Sequence, residues 1–254
     1  MFLRPVYHLL AYYLTLLFFG MFGAEICLVA LLAGVLPATE CLERGFQRLI
    51  HRHFALFHWW CRFSRLIFVH YHGFERLPRG GLMLVANHPS LIDIVLLMAF
   101  VKQADCIVKS GLRRNPFTRA TIRAAGYVRN DSGPGVLEDC VAALQSGSNL
   151  IVFPEGTRTP ADGTIALKRG AANIAVRAMR NVTPVFIRCA PRTVGKGKEF
   201  LQALSRTIYF TIEVKEDIDI RPFIARAGSD VLAARRLTDH LQDYFSEEKS
   251  SHAA

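Results

Sequence analysis

The N-terminal segment of the chain is almost uniformly apolar. Residues 5–24 are twenty positions without Asp, Glu, Lys or Arg, and after Glu25 residues 26–39 again carry no formal charge. About twenty apolar residues in a helix are enough to cross the hydrocarbon core of a bilayer. The pattern therefore predicts one of two arrangements. Either one tilted helix spans the membrane, or two shorter helices, broken near residues 20–23 or 34–37, lie in one leaflet.

Beyond about residue 70, short apolar runs alternate with longer stretches of helical periodicity. Strands are predicted at 81–86, 106–109, 149–153, 183–188 and 207–214, and helices at 91–101, 135–145, 165–180 and 226–245. Such alternation is typical of an α/β domain whose sheet is mostly parallel and flanked by helices. We therefore divide the chain into an N-terminal membrane-associated helical segment (1–65), an α/β domain (66–245) and a polar tail (246–254).

The composition is that of a folded globular chain. Apolar residues make up 51% of the 254 positions, and Gly and Pro number 18 and 11, which excludes disordered, collagen-like and low-complexity classes. The six cysteines are far apart and form no CxxC pair, so the sequence predicts reduced thiols in a reducing compartment. Because no group of residues has the spacing of metal ligands, we expect no metal ion.

The charge balance is strongly basic. Lys and Arg number 31 against 21 Asp and Glu, a net charge of +10, which suits either nucleic acid or an anionic membrane surface. The apolar N-terminus favours the membrane surface and argues against nucleic acid as the main partner. A basic and aromatic stretch follows it, comprising Arg44, Arg48, His51, Arg52, His53, His58, Trp59, Trp60, Arg62 and Arg65.

This basic and aromatic stretch is typical of a helix at the level of lipid headgroups, although a solvated basic helix face has the same composition. Only Arg4 lies on the other side of the apolar segment. If that segment spans the bilayer, the positive-inside rule places the rest of the chain at the cytoplasmic face of the inner membrane.

A histidine and an aspartate follow the first predicted strand of the α/β domain. His88 and Asp93 are five positions apart in the segment NHPSLID, which on one continuous helix would set them roughly 140° apart. Pro89 favours the first helical position and keeps the preceding residue out of the helix. We therefore expect His88 before the helix and Asp93 in its second turn, so that the imidazole can fold back onto the carboxylate. A histidine held this way can act as a general base, although many histidines are purely structural.

A second polar segment, FPEGTR, follows the predicted strand at 149–153. Ligands of open α/β sheets bind outside the carboxyl ends of the strands, where this segment lies. Arg158 can hold a phosphate through two hydrogen bonds, and Gly156 allows close approach of the backbone. Chemistry alone assigns no role to Glu155, and a tight turn with a surface glutamate is the simpler alternative.

Together, NHPSLID and FPEGTR resemble the glycerolipid acyltransferase family typified by 1-acylglycerol-3-phosphate acyltransferase. Weaker blocks of that family appear in the same order, at residues 109–129, at Lys168-Arg169-Gly170 and at residues 182–185. The resemblance covers roughly residues 70–215. HxxxxD alone is a weak signal, whereas four ordered blocks that include FPEGTR are a strong one.

The resemblance implies a membrane-bound enzyme that moves a fatty acyl group from acyl-CoA or acyl carrier protein to a lysophospholipid hydroxyl. The implied acceptor is 1-acylglycerol-3-phosphate, the product is phosphatidic acid, and no cofactor beyond the thioester donor is needed. His88 would take the proton of the acceptor hydroxyl, and Asp93 would orient His88 and stabilise its charge. The residues implied to bind substrate are Lys109, Gly126, Arg129, Glu155, Gly156, Thr157, Arg158 and Lys168.

Three departures from the family pattern concern the acceptor. The chain has KSGL at 109–112 where many members have Lys-x-Glu-Leu, Arg129 is followed by Asn-Asp, and the segment after Tyr209 lacks a glycine. Alternative acceptors are another lysolipid, a lyso-amino-acid lipid, or a specialised glycolipid or polyene. A non-catalytic membrane scaffold with the same fold would predict a broken motif, whereas His88 and Asp93 are both intact.

Overall fold

The computed structural model describes residues 3–34, 37, 39–109, 111, 115–130, 135–160, 162–191 and 207–251. Its first element is a long helix, α1 (Leu3–Ala33), and the second is α2 (Glu40–Phe63), which begins at an N-cap formed by Thr39. The stretch Val6–Ala33 has a mean hydropathy of 2.3 and is long and apolar enough, by length and composition, to cross a membrane.

Helix α1 runs antiparallel to α2 and contacts it along its length. Near one end, the Tyr7 hydroxyl donates to the carbonyl of Ser64 at 2.9 Å, and the indole N–H of Trp60 donates to the Thr15 hydroxyl at 2.8 Å. Near the other end, Ile26 and its neighbours pack in one buried cluster with Phe46 and Ile50 of α2. The N-terminal segment is therefore a helix pair separated after Ala33, and the predicted break near residues 20–23 is wrong.

A mixed sheet forms the centre of the α/β domain. Within the described residues it contains six strands in the order β1-β8-β7-β2-β6-β3, and β7 with β8 is its antiparallel pair. The strands are β1 (Ile67–His72), β2 (Met83–Ala86), β3 (Ala104–Cys106), β6 (Asn149–Val152), β7 (Val182–Ala190) and β8 (Ile208–Val214), and the short β4 (Val108–Lys109) pairs with β5 (Arg129–Asn130). The predicted α/β class, with a mostly parallel sheet flanked by helices, is confirmed.

The helices of the domain cover both faces of this sheet. They are α3 (Asp93–Met98), α4 (Pro116–Ala124), α5 (Gly135–Gln145), α6 (Gly170–Ala178), α7 (Arg221–Ala225) and α8 (Asp230–Ser251). In β2, Leu84 and Ala86 face the core with α2 and α3, whereas Met83 and Val85 face the core with α5, α6 and α8. Burial on both faces explains why the strand is a continuous apolar run rather than an alternating one.

Several predicted element bounds are corrected by the structure. Helix α6 begins at Gly170 instead of residue 165, because the side chain of Gln242 bonds the backbone there: it accepts from the Leu167 N–H at 2.9 Å and donates to the Ile165 carbonyl at 2.7 Å. Helix α8 continues to Ser251, past the predicted end at 245 and into the predicted tail. Strand β1 and helix α4 were not predicted.

Candidate active site

The two polar segments found in the sequence meet because their strands are neighbours. Strands β2 and β6 run parallel, with Met83 opposite Leu150 and Val85 opposite Val152. The segments that follow the two strands therefore leave the sheet at the same edge. The side-chain amide of Asn87 continues the hydrogen bonding between β2 and β7 one residue beyond the end of β2. Its Nδ2 donates to the Ile187 carbonyl at 2.8 Å, and its Oδ1 accepts from the Ile187 N–H at 2.7 Å. His88 therefore follows a residue fixed to β7.

His88 and Asp93 are in direct contact, as the sequence predicts. The Nδ1 of His88 donates to Oδ2 of Asp93 at 2.8 Å, and the side chain of Asp93 is fully buried while that of His88 is 20% exposed. Because Nδ1 carries its proton toward the carboxylate, Nε2 is left as the basic nitrogen. This is the arrangement that a general base requires.

Asp93 lies at the start of α3 and not in its second turn, which corrects the prediction. The reason is that side-chain bonds hold residues 90–92 in a turn before the helix: the Ser90 N–H donates to the Asp93 carboxylate at 2.7 Å, and the Ile92 N–H donates to the Ser90 hydroxyl at 3.2 Å. The Ser90 hydroxyl also bonds the carboxylate. Burial raises the pKa of the Asp93 carboxyl, and the hydrogen bonds from His88 and Ser90 oppose that effect. Ser90, at the Ser-x-x-Asp spacing, was not among the predicted site residues.

The segment after β6 holds His88 from the other side. Oε1 of Glu155 accepts from the His88 N–H at 2.9 Å, and the ring of Phe153 stacks on the imidazole with a centroid distance of 4.2 Å. Thr159, which sequence reasoning missed, bonds both Glu155 and the backbone of His88. Burial raises the pKa of the Glu155 carboxyl, and hydrogen bonds from Thr159 and the His88 N–H oppose that effect.

A lysine lies over the glycine of the FPEGTR segment. Gly156 has φ +68, and a Cβ there would come within 2.9 Å of the Lys168 ammonium. The backbone N–H of Lys168 donates to the Pro154 carbonyl at 2.9 Å, which ties the two stretches together. Thr157 is exposed and Arg158 is half-buried on the same segment. The FPEGTR segment thus supplies Arg158, and the stretch tied to it supplies Lys168. Two cationic side chains on connected stretches suit the binding of an anionic ligand.

The second block of predicted residues is placed differently. Lys109 and Arg129 lie on β4 and β5, which pair side by side, and their side chains fall outside the described part of the structure. Gly126 has φ +65 and lies against α2, where a Cβ would come within 2.7 Å of the Glu43 carboxyl carbon. His88, Asp93 and Glu155 therefore lie in one hydrogen-bonded cluster. Gly126 instead allows α2 to pack closely against its backbone.

Among the described residues, no group of three or more His, Cys, Asp or Glu side chains could hold a metal ion.

The chemistry that the cluster of His88, Asp93 and Glu155 supports is proton transfer at Nε2 of His88, beside a segment able to hold an anion. An acceptor hydroxyl that reached Nε2 would lose its proton to the imidazole and become a nucleophile.

Comparisons with known proteins show which proteins this chain is similar to. Residues 68–188 match the model of the Acyltransferase family. The acl-2 protein of Caenorhabditis elegans is 32% identical over 184 residues, 68% of this chain and 60% of acl-2. The chloroplastic 1-acyl-sn-glycerol-3-phosphate acyltransferase LPAT1 of Arabidopsis thaliana is 30% identical over 135 residues, 50% of this chain and 38% of LPAT1. The chain thus spans less than two thirds of the length of these relatives.

The fold is also that of a solved structure. The crystal structure of the 1-acyl-sn-glycerophosphate acyltransferase PlsC from Thermotoga maritima superposes with a TM-score of 0.67, at 23% sequence identity and 97% coverage of both chains. At this identity the similarity establishes the shared fold, including the N-terminal helices.

Proposed function

This chain belongs to the acyltransferase family, and on that basis we propose that it transfers a fatty acyl group from a thioester donor to the hydroxyl of a lysophospholipid. The observation that carries the proposal is the hydrogen bond of 2.8 Å between His88 and a fully buried Asp93, at the carboxyl edge of the sheet. A base of this kind suits proton abstraction from a hydroxyl. The donor is acyl-CoA or acyl carrier protein.

The proposed reaction is a transfer in two stages. Nε2 of His88 takes the hydroxyl proton as the acceptor oxygen attacks the thioester carbonyl, and the buried Asp93 carboxylate stabilises the imidazolium that forms. The tetrahedral intermediate then collapses, its C–S bond breaks, and the thiolate takes the proton from the imidazolium. The products are an ester and a free thiol, and His88 returns to its starting state.

The acceptor that we propose is 1-acylglycerol-3-phosphate, which would give phosphatidic acid. Two features support this choice: the activity named for the Arabidopsis relative, and the cationic residues Arg158 and Lys168, which lie on the segment of Glu155 and on the stretch that packs against it. A phosphate monoester carries nearly two negative charges, and a guanidinium can hold it through two hydrogen bonds.

Replacement of Arg158 by alanine is expected to raise KM for lysophosphatidate by about 10- to 100-fold with little change in kcat, because a charge-assisted hydrogen bond contributes roughly 1.5–3 kcal/mol. Steady-state kinetics with a fixed donor measure this. Arg177→Ala is the matched control, since Arg177 lies on the exposed side of α6 and pairs with Glu138 at 3.2 Å. A lower kcat at unchanged KM would assign Arg158 to the transition state or to the fold.

An acceptor panel tests the proposed substrate. Detergent-purified protein receives labelled acyl-CoA or, separately, a labelled acyl carrier protein thioester. Each donor is offered lysophosphatidate, lysophosphatidylcholine, lysophosphatidylethanolamine and a lyso-amino-acid lipid. The proposal predicts that lysophosphatidate gives the highest kcat/KM. Preference for an acceptor without a phosphate monoester would reject phosphatidic acid as the product while keeping the transfer chemistry.

We further propose that the helix pair lies in one leaflet of the membrane. Helix α1 is attached along α2 from Tyr7 to Ile26, and α2 in turn packs on β1 and α3. A charged side chain in the bilayer centre costs about 2.5–3.5 kcal/mol, and α2 carries many of them, so α2 cannot span. Because α1 is bound lengthwise to α2, it cannot cross alone. The charged residues of α2 are Glu40, Glu43, Arg44, Arg48, Arg52 and Arg62.

The surface of the pair suits this in-plane position. Helix α1 exposes large apolar side chains, including Leu10, Leu17, Met21, Leu28 and Leu32. Helix α2 adds Leu56, Trp59 and Phe63, with Trp59 and Phe63 stacked at 5.4 Å. Apolar and aromatic groups beside arginines are typical of a helix at an anionic lipid surface. Attachment at the cytoplasmic face of the inner membrane is part of the same proposal, supported by the basic charge.

The double substitution Leu10→Glu, Leu17→Glu is expected to move the protein from the membrane to the soluble fraction. Both side chains are about 60% exposed, so the fold should be retained, while each leucine buried in lipid contributes roughly 1.5–3 kcal/mol. Sedimentation with vesicles that contain anionic lipid measures the change. Val231→Glu, on the exposed side of α8, is the control. Unchanged binding of the double variant would contradict the in-plane position of α1.

A further inference from the structure

The backbone of His88 is held on both of its polar groups by the segment that follows β6. Its N–H donates to Oε1 of Glu155 at 2.9 Å and to the hydroxyl of Thr159 at 3.2 Å. Its carbonyl accepts from the Thr159 N–H at 2.8 Å. The Thr159 hydroxyl in turn donates to Oε1 of Glu155 at 2.8 Å. The peptide of His88 is thus fixed by two side chains and one amide.

Burial separates Glu155 and Thr159 from any bound acceptor. The two residues are only 4% and 7% exposed, and both polar groups point at the backbone of His88. A carboxylate would also repel the phosphate of the proposed acceptor. These observations favour a role of Glu155 toward His88 over the acceptor-binding role that the family resemblance implies.

We propose that Glu155 and Thr159 are positioning residues for His88, an assignment that rests on the proposed acyl transfer. The bond from Nδ1 to Asp93 fixes the imidazole at one end. The hydrogen bonds of Glu155 and Thr159 to the backbone of His88, which we call the clamp, fix the point from which the side chain leaves the backbone. Both are needed to keep Nε2 in line with the acceptor hydroxyl. A displacement of about 1 Å in such a site costs roughly 10²-fold in rate.

The number of donors and acceptors on each side chain defines which hydrogen bonds Thr159 and Glu155 can make. A hydroxyl has one proton, and because Thr159 donates it to Glu155, the oxygen accepts from the His88 N–H. Glu155 needs only an acceptor oxygen at Oε1, since its buried Oε2 has no hydrogen-bond partner in the described structure. A glutamine can supply the same acceptor without the charge.

The kinetic test is a pair of substitutions at Thr159. Thr159→Val keeps the shape and removes the hydroxyl, and is expected to lower kcat by about 10- to 100-fold while KM for the acceptor changes less than about twofold. Thr159→Ser is expected to restore kcat to within about threefold. Thr164→Val, at an exposed threonine of the following loop, is the control. A raised KM with unchanged kcat, or no rescue by serine in a folded protein, would overturn the assignment.

A second measurement separates this assignment from the proposed activity. Diethyl pyrocarbonate modifies accessible imidazoles, and mass spectrometry of the digested protein gives the rate at His88 alone. Thr159→Val is expected to raise that rate several-fold even if no acceptor is found for the enzyme, because the ring gains freedom. If Thr159→Val does not fold, Glu155→Ala and Glu155→Gln are compared instead. The clamp predicts that kcat falls in folded Glu155→Ala and largely recovers in Glu155→Gln, and equal kcat values in the two folded variants would overturn it.

Discussion

Replacement of His88 by alanine is expected to lower acyl transfer by at least about 10³-fold, because it removes the base that takes the acceptor proton. The fold should persist, since the lost ring is partly exposed and its side-chain partners are Phe153 and Asp93. The Asp93 carboxylate loses one of its hydrogen bonds, so a fall of roughly 1–3 kcal/mol in the free energy of unfolding accompanies the change. Turnover and thermal unfolding of the purified variant measure both effects.

The matched control is His70→Ala, at an exposed histidine on the edge strand β1. It should keep full activity and stability. If folded His88→Ala retained more than a few per cent of wild-type turnover, the hydroxyl proton would have to leave by another route, and the proposed mechanism would fail.

Replacement of Asp93 by asparagine has the second largest expected effect, a loss of roughly 10²- to 10⁴-fold in kcat with little change in KM. The amide has nearly the shape of the carboxylate but no negative charge, so it cannot stabilise the imidazolium. Its NH₂ group also favours the wrong imidazole tautomer, with the proton on Nε2. Steady-state kinetics over a range of pH measure the loss.

Asp93→Glu separates charge from position in this prediction. The longer side chain keeps the charge but cannot occupy the fully buried position of Asp93 without moving Ser90 or the start of α3. Both variants should therefore lose activity, whereas recovery in the glutamate variant would show that charge alone is sufficient. An active Asp93→Asn enzyme would show that His88 does not need the carboxylate.

The His88–Asp93 contact could be predicted because it depends on local sequence. Pro89 disfavours the helical conformation at His88, the helix begins at Asp93, and the contact spans five positions of one segment. The placement of Asp93 in the second turn was wrong because the bonds of Ser90 hold residues 90–92 in a turn, so that the helix begins at Asp93. The fold class was also predictable, since the apolar runs and helical stretches alternate in the order of the elements.

Features that depend on distant parts of the chain could not be predicted. The clamp on His88 joins residues 67 and 71 positions apart and exists because β2 and β6 are neighbours. The unpredicted β1 is an edge strand with exposed histidines, so its apolar pattern is weak. The extended stretch before Gly170 is set by Gln242 of α8. Similarly, hydropathy marks α1 as apolar, but only its contacts with α2 support an in-plane position.

The proposed acyl transfer is tested most directly by following both products of one reaction. Detergent-purified protein is mixed with labelled acyl-CoA and lysophosphatidate, and phosphatidate and free thiol are quantified together for wild type, His88→Ala and His70→Ala. The proposed mechanism predicts equal amounts of the two products with wild type and His70→Ala, and neither above background with His88→Ala. Thiol release without phosphatidate, or phosphatidate formation that survives loss of His88, would contradict it.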